Sequence, residues 1–280
     1  MSGRNPETGA SARGNWARVL ASRAPERPKP QEFVAALVDG FVELHGDRAF
    51  GDDAAVVGGV GRFCGIPVTA IGTCKGHDFK GNIRHNFGMP HPEGYRKALR
   101  LMKQAEKFGR PVLLFVDTPG AFAGMAAEER GMAHAIAQNL FEMSALRTPV
   151  VAVVTGEGGS GGALALALGD RIFMLENAWF SVISPEGCAS ILMKDPAKAP
   201  EAADALKLDA ATALEFGLVD GIVPEEDLLA APERFFAALR ETIRVELEAL
   251  RALPPDELVE RRYRKYRSVG KFSEEAGRVL

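Results

Sequence analysis

Cysteine is scarce. The 280-residue chain has three, Cys64, Cys74 and Cys188, and no two of them form a C-x-x-C pair. That excludes the usual zinc-ribbon ligand pattern and points to reduced thiols, a cytoplasmic location and no metal site in this chain. Histidine is scarce as well, and the spacing of His77, His85 and His91 fits no common metal motif. No apolar run approaches the ~18 residues that suggest a membrane-spanning helix. Neither sign of charge dominates. Lys+Arg 34 against Asp+Glu 37 leaves −3, which gives no signal for nucleic acid or a membrane surface. The opening residues lack the apolar core of a secretory signal, and Glu7 and Glu26 count against a transit peptide. No repeat stands out at the 20–50-residue periods of solenoids. Asp117-Thr118-Pro119-Gly120 has no G-x-x-x-x-G-K-[ST] to accompany it, so a GTPase reading is rejected.

What is present is apolar and glycine-rich: 46% hydrophobic residues, enough to bury a sizeable core, and 30 glycines. The chain is organised around Val150–Leu168. An unbroken β-branched run, Val150 to Val154, reads as a strand buried on both faces. Gly156, Gly158, Gly159, Gly161 and Gly162 follow, interrupted by Glu157 and Ser160, and Ala163–Leu168 opens a helix. Glycines let another molecule approach the main chain closely, and the first N–H groups of a helix have no internal partner. Such a turn is built to hold an anion. Three readings stand here. Gly156–Gly161 satisfies G-x-G-x-x-G, with Glu176 as the acidic residue a dinucleotide site wants about 20 positions on. Paired N–H groups also suit an oxyanion hole. Close packing with no ligand is the third, although five glycines in seven residues exceed what packing is expected to need.

Residues 1–30 read as a flexible or partly helical extension, with Asn15–Arg23 a short helix and Arg27-Pro28-Lys29-Pro30 an extended linker. The core is expected over 31–224. Phe33, Leu37, Phe41 and Leu44 recur at helical spacing, and 54–60 and 66–72 read as strands. The segment from Thr73 to His91 is either a solvated loop or a basic lip, with Lys75, His77 and Arg84 over an anionic ligand. Pro92–Phe108 is a helix with Tyr95, Leu99, Met102 and Ala105 inward and most of its cations in water. Val112–Val116 is a second buried strand running into a Gly/Pro turn, with a helix from about Ala126 through Leu146. Two strand–turn–helix units in series, if their strands are parallel neighbours, bring both turns to one sheet edge. N–H groups from two loops then converge on one oxygen, which favours the oxyanion reading. Glu186 opens a further helix; complementing the helix terminus is its plainer role, acid–base or positioning work the functional one. Residues 225–280 form a helical C-terminal segment with a long amphipathic helix and a basic tail, 261–267, facing solvent or another subunit.

The stretches GEGGSGGALALALGDRIFMLENAWFSVISPEGCASIL, FGMPHPEGYRKALRLMKQAEKFGRPVLLFVDTPGAF and AEERG together resemble the carboxyltransferase α subunit of bacterial acetyl-CoA carboxylase, from about Arg18 to Ile222. The ALEFGLVDGIVP stretch is also similar to the wider crotonase-like superfamily. The resemblance implies an α/β fold, a crotonase-like spiral of ββα units with flanking helices. It implies transfer of a carboxyl group from biotin, held on a biotin carboxyl carrier protein and loaded by biotin carboxylase, to acetyl-CoA, giving malonyl-CoA for fatty acid synthesis. The site then lies between this chain and a zinc-bearing β subunit, in an α2β2 assembly. Gly161 and Gly162 match the family's oxyanion glycines, which hold the biotin ureido oxygen through backbone N–H. Gly120, Phe122, Gly158, Gly159, Ser160 and Glu186 are expected to line the carboxybiotin pocket. The departing biotin anion takes the methyl proton, so no side-chain base is required. Hydratases of the superfamily carry a glutamate where Leu164 stands, which argues against the alternative of a stand-alone acyl-CoA hydratase or thioesterase. Two departures from the family pattern are a shorter N-terminal extension and Phe122-Ala123 in place of an aromatic-Pro pair.

Overall fold

The apolar runs and glycine turns assemble an eight-stranded sheet in a computed structural model that describes residues 14–271. Residues 1–13 of the expected extension and 272–280 of the C-terminal segment lie outside the described residues. The chain opens with α1 (Asn15–Ser22) and α2 (Pro30–Leu37), whose first residue is a proline with its φ already helical. Between them, Arg27 and Lys29 are buried rather than strung out in water. Arg27 forks onto both oxygens of Glu225 at 2.7 and 2.6 Å, so this stretch is a strap and not a free linker.

The helix expected to carry Phe41 and Leu44 ends at Leu37. Val38 turns extended, Gly40 takes φ +57°, and the chain becomes β1 (Asp39–Glu43), antiparallel to β2 (Val56–Phe63). Strand β2 returns as β3 (Ile66–Thr73) through the two-residue turn Cys64-Gly65. Both turn residues have positive φ, as a type I′ hairpin requires. The expected loop after β3 contains α3 (Phe79–Arg84), capped by Asp78, whose carboxylate accepts from Gly81 N–H at 2.6 Å. Then come α4 (Pro92–Lys107), β4 (Val112–Thr118), α5 (Met125–Glu129) and α6 (Met132–Ser144). The single helix expected over 126–146 is broken at Gly131, which adopts φ +81°.

The next unit is β5 (Val150–Gly159) and α7 (Ser160–Ala167), followed by β6 (Arg171–Leu175), β7 (Trp179–Ser181), α8 (Pro185–Cys188), α9 (Ala199–Leu206), α10 (Ala210–Glu215) and β8 (Gly221–Val223). Three helices close the described chain: α11 (Glu226–Ala230), α12 (Pro232–Arg251) and α13 (Pro255–Arg267). Sheet order is β1-β2-β3-β4-β5-β6-β8, with β7 beside the far end of β5. From β3 onward the pairing is parallel. Every residue of β4 and β5 is buried, the burial that the unbroken apolar runs foretell. Helices cover both faces. Gly58, beside Ile71, leaves room for Leu101 of α4, and the next position, Gly72, leaves room for Pro30 of α2. Successive strand residues point to opposite faces, so α4 and α2 lie on opposite sides of the sheet.

Two helical cations that the sequence assigns to solvent are core groups. Lys97 is fully buried and donates to Asp52 at 2.6 Å and to the Asp53 carbonyl at 2.8 Å. Arg262, in the expected basic tail, is 1% exposed. Its guanidinium is bidentate to Asp170 at 2.8 Å and also reaches the carbonyls of Met143, Leu146 and Thr148. This ties α13 to the N-terminal edge of the sheet, because Asp170 also accepts from Val150 N–H. Removing one partner of a buried ion pair strands the other. Arg262→Met is therefore expected to cost about 3–5 kcal/mol of unfolding free energy, read as a lower urea midpoint with an unchanged slope.

Candidate active site

Parallel pairing of β4 and β5 sets Leu113 beside Val151 and Val116 beside Val154, then shifts so that Thr118 lies beside Gly158. Both strand ends therefore deliver their turns to the same edge of the sheet. The turns touch. A Cβ on Gly159 would lie 2.0 Å from the Pro119 carbonyl oxygen, and one on Gly162 would lie 2.3 Å from the Ala121 nitrogen. Real Cβ atoms do not approach backbone so closely, so glycine is obligatory at both positions. Gly156 similarly leaves 2.6 Å for the Asp117 carboxylate, and Gly158 leaves 2.7 Å for Phe180 and the Trp179 carbonyl. Packing thus accounts for four of the five glycines, contrary to the expectation that their number exceeds what packing needs. Gly161 alone is open, with only Ile136 nearby at 3.6 Å. The carboxylate wedged against Gly156 also argues against a pyrophosphate there, which leaves the dinucleotide reading without support.

What remains available is main-chain N–H. Helix α7 has no side-chain cap, and Gly161 and Gly162 stand in its first turn, where N–H groups have no partner within the helix. Ser160 enters the helix with φ +56°, an uncommon conformation for a residue with a Cβ, and is exposed. The first turn contributes less than expected. Gly120 N–H donates to the Thr118 hydroxyl at 3.1 Å, and Phe122 N–H donates to the Pro90 carbonyl at 3.0 Å. Neither can join an oxyanion hole as a free donor; Ala121 N–H lies between them with no acceptor among the described residues. Phe122 is half-buried, with its ring 4.6 Å from that of His91.

Beneath the turns runs a chain of alternating charges. Lys75 Nζ lies 2.6 Å from Asp117 Oδ1 and 2.6 Å from Glu157 Oε2. Arg23, at the end of α1, donates to Glu157 at 2.7 Å and to Glu186 at 2.5 Å. Lys75, Asp117 and Glu157 are all buried. Burial by itself would lower the Lys75 pKa, but the two carboxylates outweigh it and hold the ammonium above its ordinary value. Burial likewise opposes ionisation of Glu157, and Lys75 and Arg23 outweigh it, so its pKa is depressed. Glu186 is also depressed, chiefly by the Arg23 hydrogen bond working against desolvation. Glu186 thus has a side-chain partner that helix-end complementation did not foresee. Lys75 is not part of a surface lip. It forms one wall of a cleft of about 320 Å³, with Arg23, Lys29, His77, Pro119 and others.

Of the residues expected at the site, the structure brings Gly158, Gly159, Ser160, Gly161 and Gly162 together with Gly120 at the touching turns, Phe122 two residues further along the first, and Glu186 at the far end of the charge chain. Sequence reasoning read Lys75 as part of a lip over an anionic ligand and missed its link to Asp117, Glu157 and Arg23. The one available signal was that a lysine and two acids, all flanked by small or apolar residues, sit at or just beyond strand ends.

Solved structures share this fold. The chain superposes with TM-score 0.63 on transcarboxylase 12S (19% identity, 86% of this chain and 47% of that one). It superposes with TM-score 0.64 on a Pseudomonas malonate decarboxylase hetero-dimer chain (19% identity, 85% and 98%). It spans about half the length of the transcarboxylase chain and of the P. aeruginosa geranyl-CoA carboxylase beta subunit. The likeness defines the class by fold: an α/β protein with a helix-covered central sheet, the α/β class that the resemblance implied. A family model for "acetyl co-enzyme A carboxylase carboxyltransferase-like" proteins matches residues 9–270. Among relatives named acetyl-coenzyme A carboxylase carboxyl transferase subunit alpha, those of Carboxydothermus hydrogenoformans and Listeria monocytogenes are 55% and 54% identical, over 94% and 92% of this chain and 82% and 81% of theirs. This chain belongs to that carboxyltransferase family.

The depressed carboxylates set a direction for acid stability. A carboxyl whose folded pKa lies below its unfolded value stabilises the fold above the unfolded value and loses that contribution as pH falls through the folded one. Glu157 and Glu186 start from an ordinary 4.5. Asp47, desolvated but held by three backbone N–H groups and Arg96, drops from 3.8 to about 2. The urea midpoint is expected to hold from neutral pH to roughly 5 and then to fall steadily toward pH 2, with Glu157→Gln flattening the first part of that slope.

Proposed function

We propose that this chain is the α half of a two-subunit carboxyltransferase that moves the carboxyl group of carboxybiotin, presented on a carrier protein, to the methyl carbon of acetyl-CoA, yielding malonyl-CoA for fatty acid synthesis. A zinc-bearing β subunit completes the site in an α2β2 assembly, biotin carboxylase supplies the loaded carrier, and the complex works in the cytoplasm. The observation that carries this reading is the place of Gly161 and Gly162 in the first, uncapped turn of α7, where the two glycine turns meet. A carboxyl carried on biotin's ring leaves with its bond electrons remaining on the ureido group, which then takes the methyl proton while the methyl carbon bonds to the carboxyl carbon.

The chain's own part follows from its residues. Preorganised N–H groups favour negative charge developing on an oxygen, and losing one such donor typically costs about 100- to 1,000-fold in rate. First-turn donors with no side-chain cap suit an anionic ring oxygen, and they need no titratable side chain at the turn. Phe122 and the tightly packed first turn form the opposing wall. Leu164, 38% exposed, stands where a hydratase carries its acid.

The chain alone is expected to form no malonyl-CoA and to leave crotonyl-CoA unchanged; addition of the β subunit and biotin substrate is expected to start malonyl-CoA formation. Hydration of crotonyl-CoA by the isolated chain defeats the reading. Two glycine variants separate donor geometry from simple crowding. Gly161→Ala keeps its N–H and meets only Ile136, so turnover is expected to stay within about tenfold of the parent. Gly162→Ala drives a methyl into the Ala121 nitrogen, and a displacement of about 1 Å is expected to cost on the order of 100-fold in kcat with subunit assembly intact.

A further inference from the structure

Lys75 is a buried cation outside the two turns, and its two partners belong to different strands. Asp117 is the next-to-last residue of β4, immediately before the first turn, and Glu157 lies two residues before the end of β5, just before the second. A single ammonium touches both carboxylates at 2.6 Å. Asp117 Oδ1 in addition accepts the Glu157 backbone N–H at 2.9 Å, so the two strand ends are joined side chain to main chain as well as through the lysine. The parts have little freedom. Gly156 leaves only enough room for the Asp117 carboxylate, and Gly88 leaves only enough for the Lys75 stem, 2.6 Å from where a Cβ would stand. The Lys75 carbonyl is anchored by Gln31 of α2 at 2.6 Å, and the Asp117 backbone exchanges hydrogen bonds with the Thr73 hydroxyl at 3.0 and 2.8 Å. Arg23 extends the array from Glu157 to Glu186.

We infer that Lys75 is a positioning residue for carboxyl transfer: by gripping Asp117 and Glu157 at once, it fixes the spacing of the two turns and so the direction of the Gly161 and Gly162 N–H groups. The inference rests on the reading that those N–H groups face the transferred carboxyl's carrier. Lys75 touches no reacting atom. Its effect is geometric and falls on kcat, because substrate contacts are made elsewhere while the donors are misaimed. A lysine serving stability alone acts differently: it lowers the melting temperature without changing turnover per folded molecule.

Two readouts test this, one of which needs no substrate. Lys75→Met strands a buried carboxylate and is expected to destabilise the chain. The balanced variant Lys75→Met with Asp117→Asn removes that stranded charge, keeps an acceptor for the Glu157 N–H and leaves Glu157 paired with Arg23. In the full-length balanced variant, amide hydrogen exchange over 117–124 and 156–164 is expected to speed up about tenfold or more, with β2 and β3 unchanged. Assembled with the β subunit, it is expected to lose on the order of 100-fold in kcat, with KM for acetyl-CoA within about threefold. Arg262→Met, at the opposite sheet edge, is the control for stability loss and is expected to leave turn exchange and kcat at parental values when assayed well below its melting temperature. Parental exchange in the turns of the balanced variant overturns the inference, as does an equal kcat loss in Arg262→Met. If the parental pair makes no malonyl-CoA, the transferase reading fails, and the exchange measurement still decides whether Lys75 holds the turns.

Discussion

No side chain fits between the two turns. That constraint governs the region around it: the ends of β4 and β5 lie so close that Gly159 rests on the Pro119 carbonyl and Gly162 on the Gly120–Ala121 peptide. Backbone brought into contact with backbone cannot be held by interdigitating side chains. It must be held from outside, by the strands that feed the turns and by charges at their roots. The parallel register does the first, and the Asp117–Lys75–Glu157 cluster does the second. The helix mouth is left without a side-chain cap, and its first N–H groups have no partner within α7 itself.

The buried ion pairs divide the molecule into two ends. Lys75 and Arg23 gather acids at the edge where the parallel strands finish, beside the turns. Arg262 and Asp170 do the same at the edge where β5 and β6 begin, beside the C-terminal helices. Between them lies an apolar body of strand and helix. Buried charges are weak evidence for stability, because well-packed apolar replacements often do as well. Their value is orientation: a bidentate guanidinium or a doubly bonded ammonium accepts few geometries. One end positions the C-terminal helices and the other joins the strand ends that carry the two turns.

The sequence disclosed the parts of this fold that depend on local pattern. Val112–Val116 and Val150–Val154 read as doubly covered strands because nothing polar interrupts them, and α4 and α12 show their inward stripes plainly. It misled where a tertiary effect overrode the period. Phe41 and Leu44 continue a helical spacing from Phe33 and Leu37, yet Phe41 lies in an edge strand that is mostly exposed and carries no alternating signature, and Leu44 lies just beyond it. The glycines drew attention to this turn by their number, but most are there to admit neighbouring backbone and side chains. The meeting of Lys75, Asp117 and Glu157 went unread because they are 42 and 40 residues apart and come together only through sheet register. Lys97 and Arg262 went unread because a cation among other cations on a helix looks solvated until its partner is placed.

The strap between α1 and α2 has a consequence for biosynthesis. Arg27 closes on Glu225, 198 residues later, and Arg18 on the carbonyl of Glu176, 158 residues later. At a ribosomal pace of about 5–20 residues per second, the first arginine emerges roughly 10–40 seconds before its acceptor exists. The segment made first is therefore among the last to dock, sealing a body that has already formed behind it.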